Sequence, residues 1–123
     1  MDIGEAASSH ERETLELSAR LAFELAPRLC RPAGDGTTCA WLHGFWPCLR
    51  IAGLAASPDR HAAFYGQAFS TLGDTPRVLV SGAADHGMLA CVLSALRGAR
   101  VEVLDTCDTT LHLNRWYAGR RGA

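Results

Sequence analysis

The chain has 123 residues, 48% of them hydrophobic and 20% charged, with a formal net charge of -1. That profile excludes a disordered segment and describes one soluble globular domain whose core must be small. With no clustered excess of base there is no electrostatic case for a nucleic-acid partner, and the Arg115, Arg120 and Arg121 cluster reads as a solvated tail.

The first residues, Met1-Asp2-Ile3-Gly4-Glu5, lack a basic stretch followed by an apolar one, so no signal peptide is expected. No run approaches the ~18 apolar residues that span a bilayer, so no membrane partner is expected either. The expected location is the cytoplasm, where the five cysteines would be reduced thiols.

In chain order, Ser8-Ser9-His10-Glu11 supplies an N-cap and a first-turn acid. Leu15, Leu21, Ala22, Leu25 and Leu29 then predict an amphipathic helix over about 9–30, interrupted or ended near Pro27. The breaker-rich 31–36 is a loop. A second helix is predicted over about 41–55 and a third over about 58–72, opened by Ser57-Pro58-Asp59. After 73–76 the pattern changes to a strand at 77–81, a glycine-bearing turn, a helix over 90–96 and a strand over 99–105. One more helix is expected over 111–118, opened by Thr109 or Thr110. This gives an α/β chain in two parts, a helical segment over 1–75 and a partial βαβ unit over 76–123.

The turn carries the chemistry. Gly82-x-Ala84-x-x-Gly87 is one alanine short of G-x-G-x-x-G, a pattern that brings backbone N–H groups close to a ligand at a helix N-terminus. Asp105 ends the next strand 23 residues past Gly82, where an acid holds a ribose diol. An ordinary tight βα turn would explain the glycines alone, but it does not explain the acid in register with them.

Residues 77–118 resemble the first third of class I S-adenosylmethionine-dependent methyltransferases, which carry a glycine-rich motif after strand one and an acid after strand two. The segment from Asp105 through Asn114, Arg115, Trp116 and Tyr117 is similar to the corresponding part of bacterial methyltransferase-like proteins with helical front portions. The resemblance implies a Rossmann-like fold with S-adenosylmethionine as cofactor. Gly82, Ala84, Asp85 and Gly87 would border the methionine moiety, Asp105 would hold the ribose, and Thr106 or Cys107 would border the adenine. The chain departs from the family in having Val80 where an acid precedes the first glycine, Ala84 for the second glycine, and a third glycine displaced by one, with His86 in its place.

A doubly wound sheet needs about six strands, and fewer than ~50 residues follow Pro76. The reading is therefore the N-terminal, cofactor-binding part of a split small-molecule methyltransferase. A second protein chain would complete the sheet, a hetero-oligomer being favoured and a homodimer remaining open, and the substrate would be a small-molecule methyl acceptor. The alternatives are a non-catalytic stabilising subunit with a degenerate Rossmann fragment and a dinucleotide-binding fragment.

Trp41, His43 and Trp46 form an aromatic cluster that is core-like by spacing; if the helix caps the cofactor cleft, they contact substrate, with His43 a base near neutral pH. His61 and Tyr65, one helical turn apart, form a similar pair. His86, within the turn, either reaches a ligand or faces solvent. Cys30, Cys39, His43 and Cys48 lack the short paired knuckle of structural zinc sites, so no metal is expected and the thiols are read as small hydrophobes. No Ser-His-Asp order, P-loop or H-E-x-x-H occurs.

Overall fold

A computed structural model describes residues 9–30, 37–73 and 76–121. The chain is mixed α/β and mostly helical. It runs α1 (Ser9–Leu29), α2 (Thr37–Ile51), α3 (Pro58–Phe69) continued by a 3-10 turn (Ser70–Leu72), β1 (Arg77–Ser81), α4 (Gly87–Ala95), β2 (Arg100–Leu104) and α5 (Asp108–Arg121). The predicted loop over 31–36 lies outside the described residues. No helix among those described is long and apolar enough to cross a membrane.

The α1 stripe Leu15, Ser18, Ala19, Ala22 and Ala26 is buried at helical spacing, and its small side chains let α2 pack closely along it. Pro27 does not end α1, which continues to Leu29 and closes with the Cys30 N–H on the Ala26 carbonyl. A proline removes one ladder bond, and here packing holds the last turn in place. Helix α2 runs from four residues before its expected start to Ile51, where Gly53 takes φ 78° and the Leu54 N–H returns to the Leu49 carbonyl. A left-handed glycine stops the helix there, although Leu54 continues the apolar period. Ser57 caps α3, as its sequence predicts, by accepting from the Arg60 N–H.

Strands β1 and β2 pair in parallel, Val78 opposite Val101 and Val80 opposite Val103, with α4 as the crossover. Because side chains alternate, these four valines share one face, which packs on Val92 of α4 and on Leu96 just after it, with Phe69 and Met88 beside them. The opposite face carries Leu79, Ser81, Glu102 and Leu104, all exposed. Leu79 and Leu104 retain 59% and 55% of their accessible surface, so this face lacks a covering layer among the described residues. Helix α4 begins at Gly87, earlier than predicted, and α5 begins at Asp108 with Thr109, Thr110, Leu113 and Asn114 buried.

His86 does not face solvent. It is 1% exposed, lies 3.1 Å by Nδ1 from Ser18 Oγ of α1, and stacks on Tyr117 of α5 at 4.7 Å between centroids. Burial lowers its pKa from 6.5 to about 4; Asp85 opposes that shift and Arg50 adds to it. A histidine held neutral in the folded state takes up its proton more readily when unfolded, so its contribution is complete above pH 6.5 and is lost as pH falls towards 4. That linkage amounts to about 3 kcal/mol between pH 7.5 and pH 4. Urea unfolding across this range is expected to show that loss in the native chain and a clearly flatter profile in His86→Phe, which keeps the ring stack. Identical pH profiles would contradict the assignment.

Candidate functional site

The site is built on the turn between β1 and α4 and on the segment that follows β2. Gly82 has φ 71°, a left-handed conformation, and donates its N–H to the Leu104 carbonyl at 3.1 Å, which holds the two strand ends together. A Cβ there would meet nothing within 4 Å, so it is the backbone conformation and not crowding that favours glycine. Gly82, Asp105 and Thr106 line one open cavity of about 330 Å³ with Ser81 and Leu104, at the C-terminal ends of the parallel strands. Of the residues the sequence assigns to the glycine turn, Gly82 lines this cavity together with Asp105, while Ala84, Asp85 and Gly87 are not among its lining residues. Asp105 Oδ1 accepts the Cys107 N–H at 2.8 Å, a local turn that fixes the carboxylate and places Cys107 at the start of α5.

Asp85 points the other way, into the protein. Its carboxylate takes Arg50 Nε at 3.1 Å and Arg50 Nη2 at 3.3 Å, and its Oδ1 also accepts the Gly87 N–H at 2.9 Å. Arg50 in turn donates through Nη1 to the Ala56 carbonyl and lies over the Trp46 ring, 5.7 Å from its centroid. Both partners are buried, with side chains 9% and 3% exposed. Gly87 is the floor of this pair, since a Cβ on it would stand 2.5 Å from Arg50 Nη2 and 2.6 Å from Cζ. The last glycine of the motif therefore makes room for a guanidinium. Asn114 of α5 bonds through Nδ2 to the carbonyls of Thr110 and Asp85, docking α5 on the same turn.

Ala84 presents its carbonyl to His43 Nδ1 at 2.7 Å. A carbonyl only accepts, so Nδ1 carries the proton and the Nε2 lone pair is left facing Cys107 Sγ, 3.2 Å away. Cys107 Sγ lies 3.4 Å from Cys30 Sγ, which sits 3.0 Å from Thr109 Oγ1. Burial pushes the Cys107 thiol up, but the Cys30 hydrogen bond, the hydrogen bonds from the Thr109 and Thr110 backbone and the electrostatic interaction with His43 together outweigh it. The net result is a pKa lowered to about 7 from 9.0. The lowered value favours the thiolate, the form of cysteine that acts as a nucleophile or a metal ligand. Cys91, by contrast, is buried in α4 and pushed up to about 11.

Of the four residues grouped by sequence, the structure unites Cys30 with His43. Cys48 is exposed, and the side chains of Cys39 and Trp41 lie outside the described residues. The third member is Cys107, which the sequence pattern sets beside the adenine and apart from this group. Its proximity arises because the chain just after α1, the middle of α2 and the chain just before α5 converge, and no local spacing encodes that convergence. Trp46 is held beside Arg50, and Tyr65 stacks on Phe69 at 5.6 Å with His61 edge-on to its ring, so neither joins His43. A second cavity of about 320 Å³ opens over His86 and includes Glu11, Asp59, Tyr117 and Arg121 in its lining; sequence reading had singled out none of these four for a ligand role.

Gly87→Ala is expected to push the Arg50 guanidinium off Asp85 and to destabilise the chain by about 2 kcal/mol or more in urea unfolding. A near-neutral substitution would mean that Arg50 is not fixed against the turn. Compared with known proteins, the chain matches no family model, no curated protein and no solved structure.

Proposed function

We propose that the β1–α4–β2 unit is a Rossmann-like half-site for S-adenosylmethionine, and that the chain is the cofactor-binding part of a small-molecule methyltransferase. The observation that carries this reading is the meeting of Gly82 and Asp105 in one cavity at the C-terminal ends of two parallel strands, where α/β sheets bind ligands. The residues suit the group. Gly82 leaves open space where a side chain would stand, and Asp105 is pinned by the Cys107 N–H with its second oxygen, Oδ2, left for a ribose diol. Thr106 borders the same cavity, and Cys107 follows it at the α5 N-terminus.

Ala84, Asp85 and Gly87 take a supporting part in this reading. Their polar groups are engaged by His43, by Arg50 and by one another, so they hold the shape of the turn. When bound, the cofactor supplies an electrophilic methyl group on a sulfonium. The task of the protein is to place an acceptor in line with it, and proximity and orientation provide most of the rate. The Leu79 and Leu104 face, uncovered among the described residues, supports a partner chain that adds strands and a covering layer, because folded domains rarely leave such a face and edge open. The same face favours, as a second reading, a non-catalytic subunit whose role is to stabilise that partner.

Titrating S-adenosylhomocysteine into the 15N-labelled chain tests the half-site. Amide shifts are expected at Gly82, Thr106 and Cys107, with affinity lowered about 10- to 100-fold in Asp105→Ala as a charge-assisted pair of hydrogen bonds is lost. NAD is expected to bind more weakly. An absence of shifts at these residues, or equal binding by Asp105→Ala, would contradict cofactor binding and leave the stabilising subunit as the reading.

A further inference from the structure

We propose that Cys30, His43 and Cys107 form a binding site for a Zn²⁺ ion, a Cys₂His set with one coordination position open. The site is separate from the nucleoside half-site in its logic and stands whether or not that half-site binds cofactor.

Three observations carry it. The ligand atoms of the three residues all lie within 4.8 Å of one another. Two of the separations, 3.4 Å between the sulfurs and 3.2 Å from Cys107 Sγ to His43 Nε2, approach the edges of a zinc tetrahedron. With Zn–S near 2.3 Å and Zn–N near 2.0 Å those edges are about 3.8 and 3.5 Å, so these two need to lengthen by only a few tenths of an ångström, and the third, within 4.8 Å, closes onto the ion. Next, His43 is already oriented as a zinc-bound histidine is. Its Nδ1–H is donated to the Ala84 carbonyl, which fixes the ring and leaves Nε2 as the donor atom. Last, the three ligands are far apart in the chain, Cys30 just after α1, His43 within α2 and Cys107 just before α5, so the site is held by tertiary packing.

The donor set selects the ion class. Two thiolates and an imidazole favour a soft or borderline cation over Mg²⁺ or Ca²⁺, and tetrahedral sulfur and nitrogen donors suit zinc. Charge balances as well. Binding Zn²⁺ displaces the two thiol protons, and two thiolates with one divalent ion leave a neutral site, as suits a place where Cys30 and His43 are 8% and 3% exposed. Thr109 Oγ1, 3.0 Å from Cys30 Sγ, would donate to the bound thiolate. Cys107 is the least buried of the three.

Cobalt substitution reads the site directly. Titrating Co²⁺ into the reduced chain without oxygen is expected to saturate at one equivalent, with the intense visible bands of tetrahedral cobalt and a thiolate-to-metal charge-transfer band, both abolished by one equivalent of Zn²⁺. Cys30→Ser, Cys107→Ser and His43→Gln are each expected to weaken Co²⁺ binding by about 100-fold or more, while Cys48→Ser leaves it unchanged. A measurement on the unmutated chain guards against variants that fail to fold. One equivalent of Zn²⁺ should protect Cys30 and Cys107 from alkylation, mapped by mass spectrometry, while Cys48 continues to react. Octahedral or substoichiometric cobalt spectra, or equal alkylation of Cys107 with and without Zn²⁺, would overturn the site.

Discussion

The buried ion pair between Arg50 and Asp85 is the constraint on which the arrangement of this protein depends. Arg50 is in the last turn of α2, within the helical front, and Asp85 is in the turn that leads from β1 into α4. Burying either charge alone would cost several kcal/mol, so each requires the other in place, and together they fasten the front helices to the strand-bearing half. The fork of the guanidinium is used fully: two nitrogens meet the carboxylate and the third meets the Ala56 carbonyl just before α3. Asp85 also accepts the Gly87 N–H, the first of α4, and its own carbonyl receives Asn114 of α5.

Around that fixed turn the chemically active groups divide between two sides. On one, Gly82 and Asp105 open to solvent at the strand ends. On the other, the Ala84 carbonyl orients His43, which meets Cys107 and, through it, Cys30. Both depend on the segment 105–107. The Asp105 side chain ties down the Cys107 N–H, so the acid facing the cavity also positions the thiol at the N-terminus of α5. An ion held by the three residues would therefore stiffen the wall beside the cavity at the strand ends, through a single hydrogen bond.

Much of this was legible from local patterns, because local rules decide it. The β1 limits, the Ser57 cap and the register of Gly82 with Asp105 follow from alternation, capping chemistry and the spacing of a βα unit. What local patterns could not reveal is pairing across distance. Asp85 reads as a ligand residue in a glycine turn, yet a partner 35 residues earlier turns it inward. His86 reads as a turn residue and is instead enclosed by α1 and α5. Cys107, 64 residues from His43, joins it only because three elements converge. The extent of α2 was missed for a different reason: Leu54 prolongs the apolar period, while Gly53 already has the conformation that stops the helix.

The central claim, that one buried ion pair joins the two halves, is tested most directly by a double-mutant cycle on Arg50 and Asp85, using Arg50→Met, Asp85→Asn and the combination in urea unfolding. Each single change should cost about 3–5 kcal/mol by leaving a buried charge or polar group unpaired, and the double change should cost far less than their sum. Strictly additive costs, or single changes near zero, would mean that the two residues do not act on each other and that other contacts hold the helical front to the sheet.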